Sequence, residues 1–101
     1  MPPSHEQREY HRTAVNFPVN IELPNRKRAR AMAINIGKGG MLLKHVSGAS
    51  FTKLDDVNLY LPINHNQNSY AIAAKVTRVE GNIIGIFFFS DPSDYISEIT
   101  A

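Results

Sequence analysis

The fold is decided by residues 70–89, YAIAAKVTRVEGNIIGIFFF. Tyr70, Ile72, Ala74 and Val76 recur at every second position, which is the period of a half-buried β-strand, and we extend this strand to Val79. The Gly81-Asn82 pair is typical of a tight turn, and Ile83–Phe89 is rich in β-forming residues. The stretch therefore predicts a pair of strands joined by a short turn.

Four more short strands are predicted upstream, over residues 15–23, 32–36, 41–43 and 57–61. Pro18 lies inside the first and cannot donate to a ladder, which predicts an edge strand or a bulge. In the second, Met32, Ile34 and Ile36 form the apolar alternation.

Turns and a short helix complete the pattern. Residues 64–69 are expected to form a hairpin loop, and Asp91 is expected to cap a short C-terminal helix with Pro92 at its first position. Six short strands without a long helical period indicate an all-β barrel or sandwich.

Length and composition limit the class of protein. The chain has 101 residues and no cysteine, so it has room for one small domain and lacks the ligands of thiolate metal sites and the bonds of a disulfide framework. Its longest apolar run, Ile83–Phe89, is far shorter than the roughly 20 residues of a membrane-spanning helix. The polar amino terminus does not resemble a secretory signal, and we expect a cytoplasmic protein without a membrane span.

Charge is divided unevenly along the chain. Residues 1–53 carry nine basic and three acidic side chains, whereas residues 54–101 carry two basic and six acidic ones. An anionic partner is therefore expected on the amino-terminal half, with an ordinary solvated basic face as the alternative.

Two local motifs could bind such a partner. Residues 1–12 lack apolar periodicity and predict a flexible arm, in which Arg8 and Arg12 are four positions apart. Arginine presents a rigid fork of donors that fits phosphate oxygens or the edge of guanine. The second motif is residues 35–41, where Asn35 can recognise a base edge and glycines allow a ligand to approach the backbone. The structural alternatives are solvated arginines for the first motif and a bulge or tight hairpin for the second.

Catalysis and metal binding have little support in the sequence. The four histidines are scattered over the arm, a strand end and a loop, and no paired-carboxylate or Ser/His/Asp pattern is present. We expect no enzyme activity, no metal and no cofactor other than a bound ligand.

In this order, the two motifs and six strands resemble the PilZ domain, the bacterial cyclic di-GMP receptor module. Arg8 and Arg12 match its Arg-x-x-x-Arg motif, and Asn35 and Gly40 match the ends of its Asp/Asn-x-Ser-x-x-Gly motif. The Leu-x-Leu-Pro ending at Pro62 extends the resemblance. It implies a six-stranded antiparallel β-barrel at residues 13–101, a ligand-clasping arm at residues 1–12 and a short C-terminal helix.

The resemblance also implies a function and a site. Arg8 and Arg12 would engage phosphates and guanine edges, Asn35 would hydrogen-bond a guanine, and Gly37, Lys38 and Gly40 would lie against the ligand. The arm would become ordered on binding and change a surface offered to a downstream protein in trans. Arg78 is a candidate third contact, with a surface arginine as the favoured alternative.

One departure from the family affects the expected affinity, because Gly37 stands where the family usually has serine. A missing hydrogen bond of about 0.5 to 3 kcal/mol weakens binding by roughly 2- to 100-fold. An adaptor with weak or no nucleotide binding is therefore one alternative function.

A small nucleic-acid-binding barrel is the other alternative. It would use Arg26, Lys27, Arg28 and Arg30, but no aromatic residue is interleaved with this cluster. We expect a monomer or a weak homodimer, with cyclic di-GMP rather than nucleic acid as the ligand.

Overall fold

The structure is a computed structural model that describes residues 12–63 and 69–100. Most of the predicted arm, including Arg8, and most of the predicted hairpin loop lie outside these residues. No helix in the described ranges is long and apolar enough to cross a membrane.

The described residues form seven strands and one α-helix. The elements are β1 (Arg12–Ala14), β2 (Pro18–Glu22), β3 (Arg28–Gly37), β4 (Gly40–Gly48), β5 (Asp56–Pro62), β6 (Ser69–Glu80), β7 (Ile83–Phe88) and α1 (Ser93–Thr100). All pairings are antiparallel, in the order β1-β3-β2-β5-β6-β7-β4, and β4 also pairs with β3. Strands β2 to β7 therefore close into the predicted six-stranded barrel, and β1 is an additional strand that the sequence analysis missed.

The core fills the inside of this barrel with alternating side chains of the six strands. Its least exposed larger residues are Ile21, Ile36, Met41, Leu43, Leu59, Leu61 and Ile84. Each buried Val, Leu or Ile side chain contributes about 1.5 to 3 kcal/mol, so the burial seen here stabilises a barrel that has no cysteine.

The predicted phase of the second strand is wrong at two positions. The inward side chains of β3 are Ala29, Ala31 and Ala33, followed by Ile36, while Met32 and Ile34 are only partly buried. A register shift lies between Ala33 and Asn35, so that Ile34 is the extra residue of a β-bulge. The small alanines belong to the core because the large residues of neighbouring strands fill the space beside them.

Pro18 corrects another prediction, because β2 is not an edge strand. It pairs with β3 on one side and with β5 on the other. Pro18 is the first residue of β2, opposite Met32, and the ladder to β5 begins only at Asn20. The missing N–H therefore falls at the strand start, where proline is tolerated.

The predicted helix cap is present, with the helix starting at Ser93 immediately after Pro92. The Asp91 carboxylate accepts a hydrogen bond from the Ser93 amide at 2.8 Å and another from the Ser93 hydroxyl. Within α1, Tyr95 is buried, and its hydroxyl donates to the carbonyl oxygen of Pro62 at 2.7 Å. Its ring stacks on Tyr70 at 5.0 Å between centroids, and burial raises the pKa of Tyr95 to about 12. The helix is thereby fixed to β5 and β6.

Candidate ligand-binding face

The structure brings parts of the two predicted motifs into direct contact. Arg12 is the first residue of β1 and pairs with Gly37 in the ladder to β3. Its Nη1 donates a hydrogen bond to Asn35 Oδ1 at 2.9 Å, across 23 positions of sequence. One guanidinium nitrogen is used in this bond, and the exposed side chain keeps further donors for a ligand.

The bulge at Ile34 explains why Asn35 can meet Arg12. Regular alternation from Ala33 would turn residue 35 into the core, because every second side chain of a strand faces the same way. The extra residue reverses the phase, so Ile36 is buried and Asn35 lies on the outer face. This re-aiming of one side chain is a known use of bulges near binding sites.

Next to Arg12, the turn between β3 and β4 is rich in glycine, and Gly37 and Gly40 at its two ends are buried. Gly37 ends β3 and Gly40 begins β4 after a turn through Lys38 and Gly39. Gly40 pairs with Phe87 of β7, and a Cβ atom at Gly40 would lie 2.0 Å from the carbonyl oxygen of Ile86. Gly40 is therefore required by the close approach of β4 and β7, which supports the structural reading of this motif whether or not a ligand binds.

Exposed aromatic side chains lie across the glycine-rich turn from Arg12. Phe87 is 50% exposed and Phe89 is 52% exposed, whereas Phe88 between them is buried. The two exposed rings meet edge to face with centroids 6.1 Å apart, and Lys75 Nζ lies 6.0 Å from the centre of the Phe89 ring. Phe87 lies beside the motif because it pairs with Gly40, and the sequence pattern did not predict this place for it.

The remaining predicted contacts lie around this face. Lys38 Nζ is 3.9 Å from Asp91 Oδ2, which connects the turn to the start of α1. Hydrogen bonds from the Ser93 hydroxyl and amide, with a smaller contribution from Lys38, hold the pKa of Asp91 below its usual value.

Arg78 lies farther away on the same face. It pairs with Gly85, which pairs with Leu42, the neighbour of Asn35 in the ladder. Three strand spacings separate Asn35 from Arg78, roughly 14 Å at about 4.8 Å per strand. Arg78 Nε also lies 3.5 Å from Glu80 Oε1.

We name the outer surface formed by these residues the binding face. Its members are Arg12, Asn35, Gly37, Lys38, Gly40 and Phe87. It combines a guanidinium group, an amide and an exposed phenyl ring around a glycine-rich turn, and the first three are groups that bind phosphate, a base edge and a base plane. Within residues 12–63 and 69–100 no group of three or more His, Asp or Glu side chains could hold a metal ion.

Comparison with known families agrees with this geometry. The sequence model of the PilZ domain matches residues 6–101. The chain belongs to the PilZ domain family. PilZ domains are cyclic di-GMP receptor or adaptor domains that act with partner proteins. The match includes both predicted motifs, Arg8 among them.

Two solved structures share the PilZ fold of this chain. The PilZ domain of CeSA from a cellulose-synthesizing bacterium superposes with a TM-score of 0.69 at 13% identity, covering 89% of this chain and 91% of that one. The Bacillus subtilis inhibitor of motility MotI/DgrA has a TM-score of 0.68 at 20% identity, with 99% of this chain and 54% of that chain covered. No curated protein sequence matches the chain.

Proposed function

We propose that this PilZ protein is a cyclic di-GMP receptor that acts as an adaptor, with the binding face as its nucleotide site. The observation that carries the proposal is the hydrogen bond of 2.9 Å between Arg12 and Asn35. It holds one arginine of the first motif against the first residue of the second, although the two are far apart in sequence. The guanidinium is thereby pre-oriented, which lowers the entropy cost of binding.

Each group of the face has a chemical counterpart in the ligand. Arg12 binds a phosphate oxygen or the O6/N7 edge of a guanine, and Asn35 bonds the guanine edge. The ligand lies against the turn through Lys38 and Gly39 in this proposal, with Gly37 and Gly40 at the two ends of the turn buried. Phe87, half exposed beside Gly40, offers a flat surface for a base, and base stacking on an aromatic ring is worth about 1 to 3 kcal/mol.

The amino-terminal arm completes the site in this proposal. Arg12 is anchored in β1, so the Cα atom of Arg8 lies within about 14 Å of the Arg12 Cα, the length of four extended residues. Arg8 closes over the ligand from this anchor, and the ordered arm alters the surface presented to a downstream protein. The nucleotide acts as a signal and leaves unchanged.

Calorimetric titration with cyclic di-GMP tests the site. Arg12→Ala is expected to weaken binding by roughly 10- to 100-fold, because hydrogen bonds to charged groups contribute about 1.5 to 3 kcal/mol. Phe87→Ala is expected to weaken it by about 10-fold through lost stacking. Arg30→Ala removes the same charge from an exposed position of β3 outside the binding face and serves as the matched control.

Two results would contradict the proposed site. One is equal affinity of wild type and Arg12→Ala. The other is equal affinity for cyclic di-AMP, which keeps the phosphates but lacks the guanine O6 acceptor. Hydrogen exchange of residues 1–11 with and without nucleotide tests the arm, and unchanged protection would refute its closure.

A nucleotide-independent adaptor is the second candidate function, and Gly37 in place of the family serine favours it. Absence of measurable cyclic di-GMP binding by the folded wild-type protein would support that function over the first.

A further inference from the structure

A second concave surface lies at the other end of β3. It is a groove of about 430 Å³ on the outside of β2, β3 and β5, reaching the end of β4 and the start of β6. It is lined by Asn20, Ile21, Glu22, Arg28, Ala29, Arg30, Ser47, Gly48, Tyr60 and Ser69. We name it the cationic groove. Arg28 and Asn35 are seven positions apart on β3, roughly 23 Å along the strand, so the cationic groove is distinct from the binding face.

Strand register arranges the polar groups of the groove in rows. Asn20 lies opposite Arg30 on one side and opposite Tyr60 on the other. Glu22 lies opposite Arg28 in the next row. Ser47 extends the first row because it pairs with Arg30 across the β3–β4 ladder.

The lining of the groove carries two positive charges, on Arg28 and Arg30, against one negative charge, on Glu22. Arg28 and Arg30 line it, and Arg26 and Lys27 are exposed just before β3. None of the four has an ion-pair partner in residues 12–63 or 69–100.

Tyr60 is hydrogen-bonded to the carboxylate of Glu22, the acidic residue of the groove lining. Its hydroxyl donates to Glu22 Oε1 at 3.2 Å, and this hydrogen bond is the main reason that the pKa of Tyr60 is raised. Glu22 stands opposite Arg28 in the ladder, but no ion pair joins these two described residues, so the guanidinium donors of Arg28 can bond a ligand.

The spacing of the two arginines suits an extended chain. Arg28 and Arg30 are two positions apart on one strand face, about 6.6 to 6.8 Å, and this equals the spacing of every second side chain of an extended peptide. Carboxylates at alternate positions of such a peptide can each accept a bidentate pair of bonds from one guanidinium. Asn20 and Ser47, in the same row, can bond peptide N–H and C=O groups.

We propose that the cationic groove binds an acidic, extended segment of another protein. Charge complementarity carries this choice of partner, and the lack of an aromatic residue interleaved with the basic residues 26–30 disfavours single-stranded nucleic acid. The Glu22 carboxylate repels carboxylates as well as phosphates, but it also accepts hydrogen bonds from peptide amides, which a polynucleotide backbone lacks. Tyr60 is partly buried, with its hydroxyl bonded to Glu22.

Fluorescence anisotropy with labelled probes tests the proposal on the full chain. The probes are a peptide with glutamate at alternate positions, its glutamine counterpart, and an oligothymidylate of equal length. We expect the glutamate peptide to bind at low salt at least 10-fold more tightly than either other probe, and to weaken as NaCl is raised.

Three variants assign the binding to the groove. Arg28→Gln and Arg30→Gln are each expected to weaken the glutamate peptide by about 10-fold, whereas Lys27→Gln, one residue outside the lining, changes it by less than 2-fold. Thermal unfolding of each variant confirms that it is folded. Arg12→Ala leaves peptide binding unchanged, so failure at the binding face and failure at the groove are distinguishable.

Several results would overturn the proposal. These are equal weakening by Lys27→Gln and Arg30→Gln, equal binding of the glutamine peptide, or tighter binding of the oligothymidylate. The last result would instead assign the groove to single-stranded nucleic acid.

Discussion

The two ends of strand β3 carry two cationic surfaces whose charges are held in different ways. On and around the binding face, Arg12 is bonded to Asn35, and Lys75 Nζ lies 2.8 Å from Asp56 Oδ1. In the cationic groove, Arg28 and Arg30 have no ion pair with any residue that the structure describes. The cations around the end of β3, which lie on β1 and β6, are therefore held by described partners, whereas Arg28 and Arg30 at its start are not.

This difference predicts the kind of ligand that each surface can select. Side chains that are already hydrogen-bonded beside a glycine-rich turn fit a ligand of fixed shape, because few side chains remain to be ordered on binding. Guanidinium groups without an ion-pair partner select a ligand by its charge rather than by its shape, and they speed the encounter with an anionic partner. The binding face should therefore be sensitive to added atoms, and the groove to removed charge.

Of the changes that test the two surfaces, Gly40→Ala is expected to have the largest effect, and this effect is on stability. The added Cβ would lie 2.0 Å from the carbonyl oxygen of Ile86, a backbone atom that cannot move aside cheaply. We expect a loss of about 3 kcal/mol in the free energy of unfolding. For a domain of this size, the melting temperature would fall by roughly 12 to 24 °C, measured by circular dichroism.

Gly81→Ala provides the matched control for that experiment. A Cβ at Gly81 meets nothing within 4 Å, and its φ of +61° costs only about 1 kcal/mol for an L-residue. If Gly40→Ala melted no lower than Gly81→Ala, Gly40 would be a ligand-access residue rather than a packing requirement.

Gly37→Ser sharpens the description of the binding face as a shaped site. The hydroxyl supplies one more hydrogen bond beside Arg12, and we expect cyclic di-GMP to bind about 3- to 10-fold more tightly in calorimetry. Gly37→Ala adds a carbon without a donor and is the control. Equal affinities of the serine and alanine variants would show that position 37 makes no polar contact with the ligand.

Acid should act on the binding face through Asp91, with the smallest effect. Because the folded pKa of this group is lowered, its contribution to stability is present above the ordinary value of 3.8 and is lost as pH falls through the folded value. We expect the melting temperature of Asp91→Asn to fall less steeply than that of wild type between about pH 4 and pH 2.

Asp94→Asn, in the first turn of α1, is the control for the acid experiment. Its melting temperature is measured over the same pH range. Identical pH curves for Asp91→Asn and wild type would show that Asp91 does not couple acid to this region.

Much of the barrel followed from local pattern. The period of two and the turn at Gly81-Asn82 predicted β6 and β7, and Asp91 predicted the cap of α1. The three-residue strand β1 escaped prediction because Arg12–Ala14 carries no alternation of its own and is a strand only through its pairing with β3. The phase error in β3 has a similar origin, since Met32 and Ile34 are larger and more apolar than the alanines that are buried.

Most residues of the candidate site were predicted from the sequence, but the contacts that bring them together were not. Arg12, Asn35 and Gly40 were named from spacing and family resemblance, but Phe87 was not, because its place beside Gly40 depends on the register of β4 and β7. The cationic cluster was visible in the sequence, but the engagement of Glu22 by Tyr60 was not.

By itself, the sequence determined a small cysteine-free barrel with its positive charge in the first half and two motifs that resemble those of the PilZ family. Only the tertiary structure decided that the bulge at Ile34 turns Asn35 outward to Arg12, and that Arg28 and Arg30 of β3 line a separate groove. The physical reason is the distance along the chain over which each feature is determined. Alternation and turns are properties of neighbouring residues, whereas register and bulges depend on partner strands, and these set which side chains meet.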